Sequence, residues 1–447
     1  MKKKKLDKLS HLQVIALGFL LMITVGTVLL MLPVSSRTRE VTPFLTALFT
    51  STSASCVTGL VLVDTGTYWS LFGQLVIITL IQLGGLGIIT VATLFFSFAD
   101  KNMGLRKRAI MAESINTTHI AGLKGLTRRI VLGTLLFEGV GAVLLSVRFV
   151  RDFGFLKGVY FGIFHSVSAF CNAGFDLLGC TTPYCSFVDY SDDILVNVTL
   201  MALITIGGIG FLVWSDLQHN KFRINRYQLH TKLVLTVSFV LTFGGALLFW
   251  LFERKGILAG LSAKEQILDS LFSSVTCRTA GMNTVEISDL SSPSKLLMCF
   301  LMYVGGSSGS TAGGVKTTTL AVALIYMFAG LRGVRKPVVF GRTLSGEVGK
   351  KALCVILFNF LLAFTGTLLI TAVQDLPVMD TIYETSSAMG TVGITTGITR
   401  ELGTVSRLMI IFLMYCGRVG STSFALALFE KRAEPPVTYP AEDITVG

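Results

Sequence analysis

The chain has 447 residues, 52% of them hydrophobic and 14% charged. Soluble domains carry about 25% charged residues, so this composition, with a mean hydropathy of +0.70, excludes an assembly of soluble globular domains. A net charge of +12 raises nucleic acid as a partner, and the placement of the basic residues then excludes it.

Eight apolar segments follow one another along the chain: 13–32, 71–99, 130–147, 194–215, 233–252, 296–330, 352–374 and 408–429. About 20 apolar residues cross a bilayer core as a helix, so the chain reads as a multi-pass membrane protein. Segment 13–32 follows five lysines and precedes no small-residue cleavage site. It reads as a retained helix with the N-terminus inside. With that orientation the inner stretches hold 24 Lys and Arg and the outer ones 12. Such a bias sets topology and meets acidic lipid headgroups; no nucleic acid is called for.

Each outer stretch contains a short apolar segment ending in small residues. Without gaps these are LFTSTSASCVTGL (48–60), IFHSVSAFCNAGF (163–175), SLFSSVTCRTAGM (270–282) and IYETSSAMGTVGI (382–394). They align on Gly59, Gly174, Gly281 and Gly393, with Ser/Thr six to eight residues upstream. The following apolar segment carries a second matched motif: QLGGLG, TIGGIG, YVGGSSG and YCGRVG. The repeating unit is therefore helix, half-entering helix with return loop, and helix. The predicted fold is an all-α membrane protein with eight transmembrane and four pore helices around one pseudo-fourfold pore. Repeat 1 is 1–99, repeat 2 is 100–215, repeat 3 is 216–330 and repeat 4 is 331–429, followed by a cytoplasmic tail, 430–447.

A dehydrated cation needs several oxygens at once, and backbone carbonyls supply them without net charge. Glycine tolerates the φ/ψ values that point successive carbonyls inward. The expected donors are Val57, Thr58 and Gly59; Asn172, Ala173 and Gly174; Thr279, Ala280 and Gly281; and Thr391, Val392 and Gly393. The fourth loop alone reads TVG, so one dominant ion site near the glycines is expected. Outer acids (Asp64, Asp176, Glu286, Asp289, Asp375, Glu384) would concentrate cations at the mouth.

Segment 296–330 is too long for one straight span. Its middle, Gly305, Gly306, Ser307, Ser308, Gly309, Ser310, Thr311, Ala312, Gly313 and Gly314, up to Lys316, is a poor helix. It reads as an irregular loop below the filter; a close-packing glycine face is the alternative. Arg418 falls mid-span, aligned with Gly85, Gly208 and Gly306. A membrane-centre Arg usually faces an interior cavity, here as part of a gate or as a salt-bridge partner of Glu138. The five His are scattered, no HExxH or GxSxG occurs, and the spacing around Lys316 misses the P-loop pattern. The chain is not read as an enzyme. Cys180 and Cys185 share an outer loop, with a disulfide or two free thiols both open.

The fourfold unit, the four single filter glycines and the glycine-rich break in the third unit resemble the Trk/Ktr/HKT superfamily of cation transporters across essentially the whole chain. The compact length is most similar to the membrane subunits of bacterial Ktr potassium-uptake systems. The resemblance implies potassium as the substrate, held at the filter glycines, and a bacterial cell-membrane location with both termini cytoplasmic. It implies a homodimer and a separate cytosolic ring subunit that binds ATP or ADP, so nucleotide acts only through that partner. It also implies sodium as a possible coupling or activating ion, an intramembrane gate loop at 305–316 and a pore-facing Arg418. No covalent cofactor is expected. In plant relatives a serine at the first filter glycine goes with sodium transport, so Gly59 favours potassium by resemblance.

Overall fold

The computed structural model describes residues 11–87, 123–221, 223–334, 336–420 and 442. Four long helices stand out: α1 (His11–Met31), α4 (Leu123–Phe153), α8 (Leu229–Glu253) and α12 (Gly346–Val373). They are apolar and long enough to cross a membrane. Leu17, Leu20, Leu21, Val25 and Val28 of α1 are exposed, as are Leu353, Leu357, Phe360, Leu361 and Phe364 of α12. These residues recur at helical spacing on the outer face, the pattern expected where lipid rather than water is the surrounding medium.

Each long helix is followed by a short one whose C-terminal half is buried: α2 (Phe44–Ser55), α5 (Phe155–Cys171), α9 (Ala263–Thr276) and α13 (Val378–Gly390). The Ser/Thr column seen in the sequence ties each of these to its own long helix. Ser51 donates to the Ile23 carbonyl at 2.8 Å, Ser166 to Glu138 at 2.7 Å and Ser274 to Thr242 at 2.7 Å. Thr385 and Thr367 share a hydroxyl–hydroxyl bond of 2.8 Å. Inside an apolar shell an unmade hydrogen bond is costly, so one hydroxyl per helix fixes its tilt and depth.

A third helix completes each group: α3 (Leu71–Leu86), α6 (Ile194–Ile209), α10 (Ser292–Tyr303) and α14 (Thr404–Val419). The described helices end inside the predicted segments. Segment 71–99 is helical only to Leu86 among the described residues. Segment 194–215 bends by 94° at Gly210 into α7 (Phe211–Asn220). In segment 408–429 the described helix ends at Val419. In three of the four units the cause is a glycine. The last glycine of each second motif has a left-handed φ: Gly87 +82°, Gly210 +100°, Gly309 +69° and Gly420 +91°. Such a residue ends a right-handed helix, and glycine takes it without a Cβ penalty. The sequence suggests a break in the third unit alone; in the other three the described helices also end, just before Gly87, Gly210 and Gly420, whereas α10 stops earlier, at Tyr303.

In the third unit, α10 stops at Tyr303 and α11 (Thr317–Leu331) resumes after an irregular segment. A small antiparallel hairpin, β1 (Val338–Val339) and β2 (Arg342–Thr343), precedes α12, so the chain is predominantly rather than wholly helical. Segments 88–122 and 421–441, with the tail prediction, lie outside the described residues.

Candidate ion pathway

The loops after α2, α5, α9 and α13 share an unusual backbone. The residue two before each aligned glycine has a left-handed φ: Val57 +57°, Asn172 +59°, Thr279 +73° and Thr391 +53°. The glycines do too: Gly59 +94°, Gly174 +72°, Gly281 +83° and Gly393 +97°. Three of the four non-glycine positions are β-branched, where a positive φ is a genuine outlier. Each such residue costs about 1–3 kcal/mol and persists only where its surroundings impose it. Left-handed and right-handed or extended residues thus alternate, which directs successive carbonyls to one side.

The four glycines meet around one axis in chain order. A Cβ on Gly59 would stand 2.7 Å from the Ala173 carbonyl oxygen, and one on Gly174 would stand 2.9 Å from that of Ala280. A Cβ on Gly281 would strike the Val392 oxygen, and one on Gly393 the Thr58 oxygen, which closes the circle. Each glycine therefore faces the carbonyl one residue before the next glycine. Serine and threonine hydroxyls hold the loops from behind, in two ways. The Gly59 and Gly393 N–H groups donate to Ser53 Oγ and Ser387 Oγ, each at 3.0 Å. In the other two loops the hydroxyl donates outward, Ser168 to the Phe175 carbonyl at 2.6 Å and Thr276 to the Met282 carbonyl. The carbonyls just outside Gly174 and Gly281 are thus turned to their helices. A fourfold carbonyl ring cannot continue past the glycines.

Below this ring lies segment 304–316. Ser307 N–H donates to the Gly208 carbonyl at 2.9 Å, and Thr311 Oγ1 to the Phe170 carbonyl at 3.2 Å. Phe211 N–H, just past the bend, donates to Gly309 at 2.7 Å. Gly313 abuts Thr391, and Gly305 lies close to Thr279. The segment therefore touches the second, third and fourth loops from one side of the ring. Arg418 supplies the link to the first unit: its guanidinium donates to the carbonyls of Thr311, Gly84 and Gly85. Lys316 Nζ caps the same segment through the Ala312 and Gly313 carbonyls, at 2.7 and 3.1 Å. Glu138 instead binds Gln82 at 3.2 Å and Cys171. Among the described residues it makes no ion pair with Arg418.

Comparison with known proteins accords with this architecture. The family model for TrkH, a cation transport protein, matches residues 5–434. The chain belongs to the TrkH cation transport family. It is 41% identical to the potassium/sodium uptake protein NtpJ of Enterococcus hirae, covering all of this chain and 99% of that one. It is 38% identical to the Ktr system potassium uptake protein B of Bacillus subtilis, over 97% and 96% of the two chains. Among solved structures, the potassium transporter TrkH of Vibrio parahaemolyticus shares the fold, with a TM-score of 0.74 at 16% identity, over 95% of this chain and 86% of that one. The chain is accordingly a multi-pass membrane protein of a transport family.

On the side of the glycine ring away from segment 304–316, this TrkH-family chain has a cavity of about 180 Å³ lined by Asp64, Asp176, Glu286 and Arg400. Burial and the Asp64 charge push the Asp176 carboxyl up to about 7. Tyr184 N–H donates to Asp64 at 3.0 Å, and the Arg400 guanidinium lies 4.3 Å over the Tyr184 ring. Asp289 and Asp375 do not line this cavity, and Glu384, expected at the mouth, is fully buried behind the fourth loop. Cys180 and Cys185 are free thiols, one exposed and one buried. Sequence reasoning named Val57, Asn172, Thr279 and Thr391 as donors but missed their strain, because nothing in a valine or threonine announces a positive φ. Their one signal is position, two residues before an aligned glycine.

Proposed function

We propose that this chain is the potassium-translocating subunit of a Ktr-type uptake system in a bacterial cell membrane. The single observation that carries the reading is the closed circle in which each of four aligned glycines faces the carbonyl preceding the next. In this reading the four groups are helix–pore-loop–helix repeats around one pore. The carbonyls of Thr58, Ala173, Ala280 and Val392, with those of the adjoining Val57, Asn172, Thr279 and Thr391 and of the glycines, replace the water shell of the ion. The C-terminal ends of α2, α5, α9 and α13 add a negative field. Because Phe175 and Met282 are turned away, binding concentrates in one site at the glycines, and the ion leaves easily.

The segment from Gly305 to Lys316 is the gate. It rests under the filter on hydrogen bonds to the second unit and on close contacts with the third and fourth loops, and Arg418 latches it to α3 of the first unit. A homodimer and a cytosolic nucleotide-binding ring complete the system, a reading supported by relatives that are named as parts of a Ktr system. Both termini lie inside, and sodium acts as a coupling or activating ion.

The test is rescue of potassium-limited growth in a bacterium lacking its own uptake systems, with and without the ring subunit and sodium. Rescue that Gly59→Ser abolishes supports the filter; no rescue with a correctly inserted protein overturns the assignment. A sodium or non-selective pathway is the second reading. It is favoured by the loss of fourfold carbonyls past the glycines and by the potassium/sodium name of one relative. Sodium uptake that potassium fails to compete away would establish it.

A further inference from the structure

Three buried groups that can titrate sit on one face of the short helices, and none is used by the pathway described above. His165 lies nine residues before Gly174, Glu384 nine before Gly393, and Asp269 twelve before Gly281. The difference of three residues is about one helical turn, so all three share a face. All are buried.

Each reaches the same kind of partner, the strand that leaves its own filter glycine. His165 donates from Nδ1 to the Phe161 carbonyl at 2.8 Å. Its Nε2 then accepts the Leu177 N–H, three residues past Gly174, at 3.0 Å. The Asp269 carboxyl accepts the Thr284 hydroxyl, three residues past Gly281, at 2.8 Å. The Glu384 carboxyl accepts two hydroxyls, Thr395 at 2.7 Å and Thr399. Thr395 in turn accepts the Gly397 N–H at 3.0 Å and so ties the whole outward turn to Glu384. The first unit differs. Thr50 occupies the position nine before Gly59, and its buried hydroxyl has no partner.

We propose that His165, Asp269 and Glu384 are positioning residues that hold the outer filter strands from behind, three of four, and so set the discrimination between potassium and smaller cations. A ring of carbonyls can close around a smaller ion only if its strands move inward. Buried hydrogen bonds from the back, with no water to replace them, oppose that movement. The first strand, without such a bracket, is the one that adjusts. This inference rests on the filter reading under Proposed function.

The experiment uses the purified full-length protein in vesicles and compares the KM for potassium with the inhibition constant of sodium. Glu384→Leu and Thr399→Val should each lower discrimination by roughly tenfold or more. The double variant should be no worse than the worse single. Glu384→Gln, which keeps an acceptor oxygen, should retain most of it, and Thr50→Val should leave it unchanged. A merely structural role would lower the amount of folded protein and leave the ratio alone. Should Glu384→Leu fail to fold, Thr399→Val and Thr284→Val still remove the bonds and read the ratio. Folded Glu384→Leu or Thr399→Val with native discrimination overturns the proposal, as does an equal loss in Thr50→Val. Should serine at Gly393 also leave discrimination native, the filter reading itself falls; loss at Gly393 with intact bracket variants refutes this inference alone.

Discussion

Serine placed at each filter glycine in turn gives a graded test of the ring. The substitution adds a Cβ where φ is left-handed, at a cost to an L-residue of about 1–2 kcal/mol. It also drives that carbon into backbone. At Gly174 the nearest atom is the Ala280 oxygen at 2.9 Å, and at Gly59 the Ala173 oxygen at 2.7 Å. At Gly281 and Gly393 the oxygens of Val392 and Thr58 are closer still. Backbone cannot swing aside as a side chain does, because each loop is held from behind by hydroxyls. Strain of about 1–3 kcal/mol per site, expressed at the ion, raises the KM for potassium by roughly five- to 150-fold, at 1.4 kcal/mol per tenfold. The order of severity should follow the contacts: Gly393 and Gly281 worst, then Gly59, then Gly174. The assay is rubidium uptake into vesicles across a potassium series, with sodium as competitor. Native KM and native sodium inhibition in Gly393→Ser, or Gly174→Ser as the most severe, would refute the ring.

Other outcomes follow from single contacts. Arg418→Ala removes donors to Thr311, Gly84 and Gly85, each such charge-assisted bond contributing about 1.5–3 kcal/mol. Uptake should rise roughly tenfold and depend less on the ring subunit, whereas unchanged flux with lost folding would make the residue structural. Asp176, with its carboxyl pushed up to about 7, gains its charge as pH rises from about 6 to 8. The KM for potassium should fall over that window, and Asp176→Asn should flatten the profile. The sign for stability is opposite: the fold favours protonated Asp176, so stability is lost as pH rises from the unfolded value near 4 to about 7. Gly210→Ala at φ +100° should destabilise the protein by about 1–2 kcal/mol, seen as a lower Tm in detergent; an unchanged Tm would show that the bend does not depend on glycine.

The sequence by itself determined the membrane character and picked out the four glycines that meet. Apolar length, charge asymmetry and a near-constant spacing of small residues are local properties, written in one dimension. It also placed Arg418 at the depth of Gly85, whose carbonyl the guanidinium binds. What it left open needed three dimensions. The choice between Glu138 and backbone carbonyls as partners of Arg418 turns on side-chain reach across units distant in the chain. Residue type does not encode the positive φ of Val57 and Thr391, because packing imposes it against their preference. The end of the second helix in three of the units depends on Gly87, Gly210 and Gly420, each of which resembles an ordinary close-packing glycine in sequence. Glu384 looked like a charge at the mouth. Tertiary structure buries it behind the fourth loop, because two threonine hydroxyls fold back to meet its carboxyl.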